Sequence, residues 1–496
     1  MLWFSLVTLL MPIRMLVTAI PVRTPRQPAE RAAGPSEADT EFAEEYLQHY
    51  YGFKPKSERQ KRDANSGVDD AWTTGLCKEL KKMQRFLGLP PSGELTKETL
   101  AVMKRPRCGL SDVEMVKNRI RWKRNKLSYR IIYNKLSIPK SKIYKVFKEA
   151  WRIWSTVAPI KVEKRKRGEA DIAISFHSGD HKDGSPFDGK GGILAHAFQP
   201  GLGIGGDVHF DADEEWTFNS TGFNLYAVAV HEFGHALGLH HSSDPGAIMY
   251  PTYNPPPNFE LQLSFRDVKD IQHLYGISHD YPSLYSKNPP PRTPDKCDVD
   301  LSFDAVTELQ QEVVFFKDRF MWRKHPQFTE TGITLISSLW PDSVPSYLDA
   351  VYQNVEKNVL LFFKGDQYWM LSQLKVEEGY PKNISALGFP PRIQSVDAAL
   401  HFKKDRYTVF FTGHECWRYD ENLKTMESPV LIEEQWPGVP FPIDAAIFYE
   451  GLVHFFKNNL HFEYDADLRR LVSVGHANQM LDCEKQKDNE TLAENR

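Results

Sequence analysis

Residues 231–241 read His-Glu-Phe-Gly-His-Ala-Leu-Gly-Leu-His-His. Positions i and i+4 share a face on a helix, so His231 and His235 can grip one zinc ion through neutral imidazoles. Gly238 lets the backbone turn sharply and swings His241 round as a third ligand. Three protein ligands leave a fourth position for water, the arrangement of a catalytic rather than a structural zinc site. Glu232 sits beside the ligands, placed to take a proton from an attacking water and deliver it to a leaving amine. Downstream, Ala247-Ile248-Met249-Tyr250-Pro251 supplies a methionine turn to floor the site. A His-Glu-x-x-His match alone occurs by chance on ordinary helices; the glycine, the third histidine and Met249 together carry the reading. His240 lies outside the pattern and reads as a partly exposed neighbour.

A second cluster lies upstream, in HKDGSPFDGKGGILAHAFQPGLGIGGDVHFDADEEW. His181, Asp183, His196 and His209 offer three nitrogens and a carboxylate, enough for a closed structural zinc site. Around it, Asp188, Asp211 and Glu214, with the carbonyls of Gly189, Gly191 and Ile193, provide the oxygen shell that calcium prefers. A further calcium could use Asp171 and Asp207 with the carbonyls of Gly203 and Gly205.

Several elements must position these groups. FNLYAVAVHEFGHALG reads as the helix that carries the first two histidines, and SFRDVKDIQHLYG as a second amphipathic helix ending at Gly276. From Trp122 to Gly222, runs such as LSYRII and DIAISF predict strands around a helix in SKIYKVFKEAWRIWSTV, a mixed α/β region. Residues 41–53 and 76–88 carry helical periodicity, with a polar loop between them. YSKNPPPRTPDK marks a semi-rigid linker at 277–296. Beyond it, Asp304-Ala-Val, Asp349-Ala-Val, Asp397-Ala-Ala and Asp444-Ala-Ala recur, each followed by aromatic-rich strands. Four such units suit a four-bladed β-propeller. Cys297 and Cys483 flank the units, so one disulfide would close the ring. Asp304, Asp349, Asp397 and Asp444 are candidate calcium ligands within it.

At 496 residues the chain holds several domains, and 62 Lys+Arg against 65 Asp+Glu leave a net charge of -3. No global field therefore points to nucleic acid. The first nineteen residues read as a signal peptide, and no later apolar run is long enough to span a bilayer. A secreted protein with calcium, zinc and one disulfide is expected, with Asn219, Asn383 and Asn489 as glycan acceptors. The run Lys164–Arg167 reads as a solvated turn.

The long zinc motif, the methionine turn, the HKDGSPFDG…LAHAF…GGDVHFD stretch, the PRCG element at Pro106–Gly109 and the fourfold repeat closely resemble a matrix metalloproteinase, a metzincin zinc endopeptidase with a hemopexin-like domain. The resemblance covers nearly the whole chain. It implies a signal peptide at 1–19, an α-helical prodomain at 20–121, an α/β (α+β) catalytic domain at 122–276, the linker at 277–296, a four-bladed propeller at 297–483 and a polar tail at 484–496. It makes Cys108 the cysteine switch, with its thiolate on the open zinc position of a latent enzyme, and Arg107 and Asp112 the ion pair that braces it. Extracellular-matrix substrates, proteinaceous inhibitors and an activating proprotein convertase or other protease are the partners implied.

Departures from the family pattern carry expectations of their own. Ser111 stands where the family has proline, implying a less rigid switch segment. Ser137 and Ala212 replace calcium-binding carboxylates. Arg266 replaces the first of a paired Asp-Asp, leaving Asp267. Cys77 and Cys416 have no family partner and read as packed free thiols. No fibronectin-like insert interrupts the catalytic region, so it does not resemble a gelatinase. Two Arg-x-Lys-Arg sites, Arg59–Arg62 and Arg121–Arg124, match convertases, but Trp122 also matches the edge of the first catalytic strand. Ala227 is a small wall residue for the primary pocket, which should accept a large apolar side chain. The rival reading is a binding protein acting through its propeller with a vestigial catalytic domain; Glu232 and a complete ligand set argue against it.

Overall fold

The computed structural model describes residues 35–54, 68–113, 120–132, 138–218, 222–254, 261–279, 281 and 289–483, with backbone alone at 68–73. The expected signal peptide, Arg59–Arg62, Ser137, Asn219, Asn489 and the tail lie outside the described residues.

Among the described residues, the N-terminal region holds three helices: α1 (Glu37–Tyr51), α2 (Val68–Phe86) and α3 (Lys97–Met103). Both expected helices begin earlier in the sequence than the apolar pattern suggests; the first turn of α1, Glu-Ala-Asp-Thr, is largely polar and leaves no periodic mark. Ser36 caps α1 through its side chain, and Gly52 ends the helix in the left-handed conformation. The seven-residue α3, capped by Thr96, is too short to show a hydrophobic period.

The catalytic region contributes five strands to a six-stranded sheet in the order β1-β5-β6-β4-β2-β3, whose edge strand β1 comes from the N-terminal region. The strands are β1 (Arg107–Cys108), β2 (Lys126–Ile131), β3 (Lys161–Lys164), β4 (Ile172–His177), β5 (Ile193–Ala197) and β6 (Val208–Asp211). Helix α4 (Lys140–Val157) lays Ile143, Phe147, Ala150, Trp151, Trp154 and Val157 onto the core at the 3.6-residue period. Against it packs α5 (Leu225–Ala236), where Trp151 stacks on Phe233 with centroids 3.8 Å apart. Burying each large apolar side chain of this core contributes roughly 1.5–3 kcal/mol. Helix α6 (Phe265–Tyr275) starts in a capping box made by Ser264 and Asp267.

Trp122 is not a strand edge, since β2 begins only at Lys126. Instead its indole Nε1 donates to Ala236 O at 2.8 Å, and its ring lies against Gly206. Its backbone N–H donates to the Tyr275 hydroxyl.

The propeller has four antiparallel sheets. Their inner strands, Ala305–Leu309, Ala350–Asn354, Ala398–Phe402 and Ala445–Tyr449, neighbour one another in a closed ring. A Cys297–Cys483 disulfide joins the ends. Asp304, Asp349 and Asp444 each accept from a lysine, Lys317, Lys364 and Lys457 respectively. Asp397 accepts from Gly413 N–H, and its carboxyl is pushed up first by burial and then by the charges of Asp349 and Asp444.

The linker docks rather than dangles where it is described. Pro291 O accepts from Phe265 N, and the Arg292 guanidinium lies 3.6 Å from the Phe265 ring. The helical N-terminal region packs on the first blade: Leu80, Met83 and Leu87 share one core with Phe316, Met321 and Trp340, and Arg323 bridges Glu98 and Glu312. Among the described residues no helix is long and apolar enough to cross a membrane.

Candidate metal centre

Asn224 caps α5 through Tyr226 and Ala227 N–H, which starts the helix so that His231, Glu232 and His235 all face inward. His231 Nδ1 donates to Ile248 O at 2.7 Å and His235 Nδ1 to Leu239 O at 2.8 Å. Each ring is thereby fixed with a bare Nε2, and these two nitrogens lie 3.1 Å apart. Burial keeps both rings neutral, pushing His231 down to about 3 and His235 well below the usual range. Two lone pairs at that distance repel unless a cation lies between them, so the donor set fits a zinc ion.

Gly238, at φ 105°, makes the turn after the helix; a Cβ there would meet Ile120 O at 2.2 Å. The turn brings His241 into the group, and Cys108, His231, His235 and His241 all place ligand atoms within 4.8 Å of one another. Burial and the neighbouring Glu232 push the Cys108 thiol up, while burial raises Glu232 to about 8. A bound cation reverses the first of these, since a coordinating thiol is deprotonated.

Met249 packs beneath α5, and Gly234 is what admits it: a Cβ there would lie 2.4 Å from Met249 Sδ. Asp267 holds this turn from below. Its buried carboxylate accepts from Ile248 N, Met249 N, Ser264 N and Ser264 Oγ. Arg266 points away and pairs with Asp270.

The segment carrying Cys108 lies in the cleft as strand β1, parallel to β5 at the sheet edge. Arg107 N–H donates to Gly192 O, Cys108 N–H to Pro251 O and Gly109 N–H to Ala195 O. Arg107 Nη2 meets Asp112 Oδ1 at 2.5 Å with both side chains buried, and Asp112 Oδ1 is also 2.9 Å from His241 Nδ1. The Arg107 guanidinium stacks 3.6 Å from the Tyr50 ring and bonds the Tyr46 hydroxyl, while His49 Nε2 reaches Gly109 O. Ser111, expected to loosen this segment, ties it down: its hydroxyl donates to Tyr50 O at 2.8 Å and accepts from Val113 N.

The second cluster converges on one atom. His181 Nε2, His196 Nε2 and His209 Nδ1 lie 2.7, 2.8 and 2.7 Å from Asp183 Oδ2. Burial holds His196 and His209 below the usual histidine range, the latter at about 4. Nearby, burial raises Asp211 to about 6 and Glu214 to about 7, with Asp188 adding to both, and Asp211 Oδ2 is buried without a hydrogen-bond partner. An orphaned carboxylate oxygen among acids fits a hard cation. Gly191 N–H donates to Glu214 and Ile193 N–H to Asp188. Ala212 contributes its N–H to His177 O. At the further calcium position the arrangement is looser. Asp171 is turned onto Ser128 and Arg124, Asp207 accepts from Ala173 N–H, and Gly203 and Gly205 lie in a tight turn.

A pocket beside the histidines is lined by Ala227, Val228, Ala247, Tyr250 and Leu261. Arg319, from the first propeller blade, reaches the same pocket. Sequence reading gave no hint of Arg319 or of the Tyr46–Tyr50 brace, since both come from distant segments. Asn383 is exposed, with its amide bonded to Asp366 and Ser385. Cys77 is half-buried, whereas Cys416 is buried and pushed up to about 11. At the Lys164–Arg167 run, the Lys164 ammonium covers the Tyr144 ring and Arg165 bonds Glu169 O.

Fold and site together define a metalloendopeptidase. The chain matches the Matrixin family over residues 121–276, Hemopexin over 303–342, 348–391 and 396–440, and a Putative peptidoglycan binding domain over 36–103. It is 41% identical to Matrix metalloproteinase-18 of Xenopus laevis across 92% of this chain and 96% of that protein. It is 40% identical to Neutrophil collagenase of Homo sapiens and 41% to Interstitial collagenase of Bos taurus, each across 90% of this chain and 94% of the relative. The chain belongs to the matrix metalloproteinase family, whose peptidases depend on zinc and act on matrix proteins.

Proposed function

We propose that the chain is a secreted, latent zinc endopeptidase of extracellular-matrix or pericellular proteins, with His231, His235 and His241 as catalytic ligands and Cys108 as the removable fourth. The carrying observation is the 3.1 Å approach of two bare imidazole nitrogens, with Cys108 in the same cluster. A zinc ion held there supplies Lewis acidity for the scissile carbonyl and for water. Glu232 takes the proton of the attacking water and returns it to the departing amine. The β5 edge, filled by Arg107–Cys108 in the latent state, is where a substrate strand adds to the sheet, and the pocket at Ala227 takes a large apolar side chain.

In the same reading, His181, Asp183, His196 and His209 hold a structural zinc, and Asp188, Asp211 and Glu214 a calcium. The boundaries of leader, prodomain, catalytic region, linker and propeller follow the ranges given above. Activation is stepwise: convertase cleavage after Arg62 loosens the prodomain and a later cut removes Cys108. A cut after Arg124 would instead discard Trp122, which ties the N-terminal segment to α5 and α6. Replacing Glu232 by Ala should leave zinc bound and lower peptide hydrolysis at least about 10²-fold. Near-normal turnover with zinc retained contradicts the assignment.

A further inference from the structure

Blade four departs from its three sisters at one spot. The second strand of each blade is six residues long: Glu312–Lys317, Val359–Lys364, Tyr407–Thr412 and Leu452–Lys457. Its third position is Val314, Leu361 or Val409 in the first three blades and His454 in the fourth. The second position of the following strand is Met321, Tyr368 or Cys416, and then His461. Across the ladder, Val314 faces Arg323, Leu361 faces Met370 and Val409 faces Arg418, whereas His454 faces Glu463. Both histidines are as buried as the side chains they replace, at 5% exposure each. Two imidazoles where the fold elsewhere puts apolar or weakly polar groups carry a desolvation cost that needs compensation.

The local geometry supplies it. His454 Nδ1 lies 2.8 Å from His461 Nε2, and with Glu463 the ligand atoms fall within 4.8 Å of one another. His454 Nε2 meets Tyr449 O at 3.1 Å, which fixes the tautomer with Nδ1 bare and aimed at His461. Ser473 donates to Glu463 Oε2 at 2.6 Å and leaves Oε1 available. His461 is sandwiched between the His454 and Phe456 rings, each 5.0 Å away. His454 and Glu463 each have their other polar atom held, by a backbone carbonyl and a hydroxyl respectively, as the ligands of a metal site are held by a supporting shell.

We propose that His454, His461 and Glu463 form a zinc site in blade four, separate from the two clusters of the catalytic region. Two nitrogens and one carboxylate oxygen suit zinc, with water completing the tetrahedron. Phe456, on the same strand and face as His454, packs with Phe303, Val313 and Phe315 of the opening segment and blade one. The ion therefore pins the central hairpin of the last blade beside the joint that Cys297–Cys483 closes.

The test is zinc per chain, measured on the full-length latent protein equilibrated with micromolar free zinc, for wild type and two variants. His461→Met gives blade four the residue of blade one and should bind one zinc fewer than wild type, whatever the count at the other two clusters. Glu463→Gln keeps the histidine pair and its packing, and should weaken that same ion at least about 10-fold. Equal zinc content in wild type and His461→Met means that the histidines share only a hydrogen bond, which overturns the proposal. Unchanged affinity in Glu463→Gln removes the carboxylate from the site and overturns it as stated.

Discussion

The two histidine clusters of the catalytic region use the same ligand types in different ways. Around Asp183, three imidazoles crowd one carboxylate oxygen supplied by the same domain, so nothing in that group can leave without unfolding the loop that carries it. Around His231, three imidazoles meet a thiol carried in from the prodomain on a two-residue strand. In the function proposed above, the source of the fourth donor, not the identity of the other three, is what would separate a site that stays closed from one that opens. The holding force on Cys108 comes from outside the cluster: the Arg107–Asp112 pair, the Tyr50 stack and the Ser111 hydroxyl.

The contrast can be broken by substitution. His209→Ala should release one zinc and leave Asp183 buried among fewer partners, costing about 3–5 kcal/mol. Thermal melting of the catalytic region reads that cost, whereas His231→Ala should abolish hydrolysis with a clearly smaller shift in melting temperature. Equal destabilisation by both would erase the distinction. Asp267→Ala strips two hydrogen bonds from the floor of the open cluster and two from the cap of α6, leaving the Ile248 and Met249 N–H groups buried without an acceptor. A loss of about 2–3 kcal/mol is expected, with zinc held less tightly at His231 but unchanged at Asp183, as differential chelation would reveal. Gly234→Ala drives a methyl group against Met249 Sδ and should cost about 1–3 kcal/mol, read by the same melt.

The smallest effect concerns the hold on the thiol. Ser111→Ala removes one donor and one acceptor, worth about 1 kcal/mol, so spontaneous activation of the latent protein should quicken about 5-fold. An unchanged rate would mean that Tyr46, His49 and Tyr50 alone carry the brace.

Much of this was legible in residues 231–241, because helix geometry converts local spacing directly into a shared face. The repeat was legible too, since each blade is a local unit with its own Asp-Ala start. What stayed hidden depends on contacts between distant segments. Nothing near Tyr46 or Tyr50 says that they stack on Arg107, and nothing around Arg319 says that it reaches a pocket in another domain. Asp267 was read through its missing neighbour, while its work is to cap α6 and hold the methionine turn at once. For Trp122 the sequence suggests a strand edge inside a convertase-like tetrapeptide, but its indole, not a backbone pattern, is what anchors it. Ser111 looked like lost rigidity because proline stiffens locally, whereas a hydroxyl stiffens only when a partner such as Tyr50 O is in reach.

In the proposed function one thiol, presented by the prodomain, keeps the open cluster closed. Replacing Cys108 by Ser in the full-length protein and assaying peptide hydrolysis, with the intact N-terminus verified on the same sample, tests it most directly. Activity without prodomain cleavage is the predicted result, since a hydroxyl is a poor zinc ligand beside a thiolate. Full latency in that variant, with zinc still bound, would contradict the account.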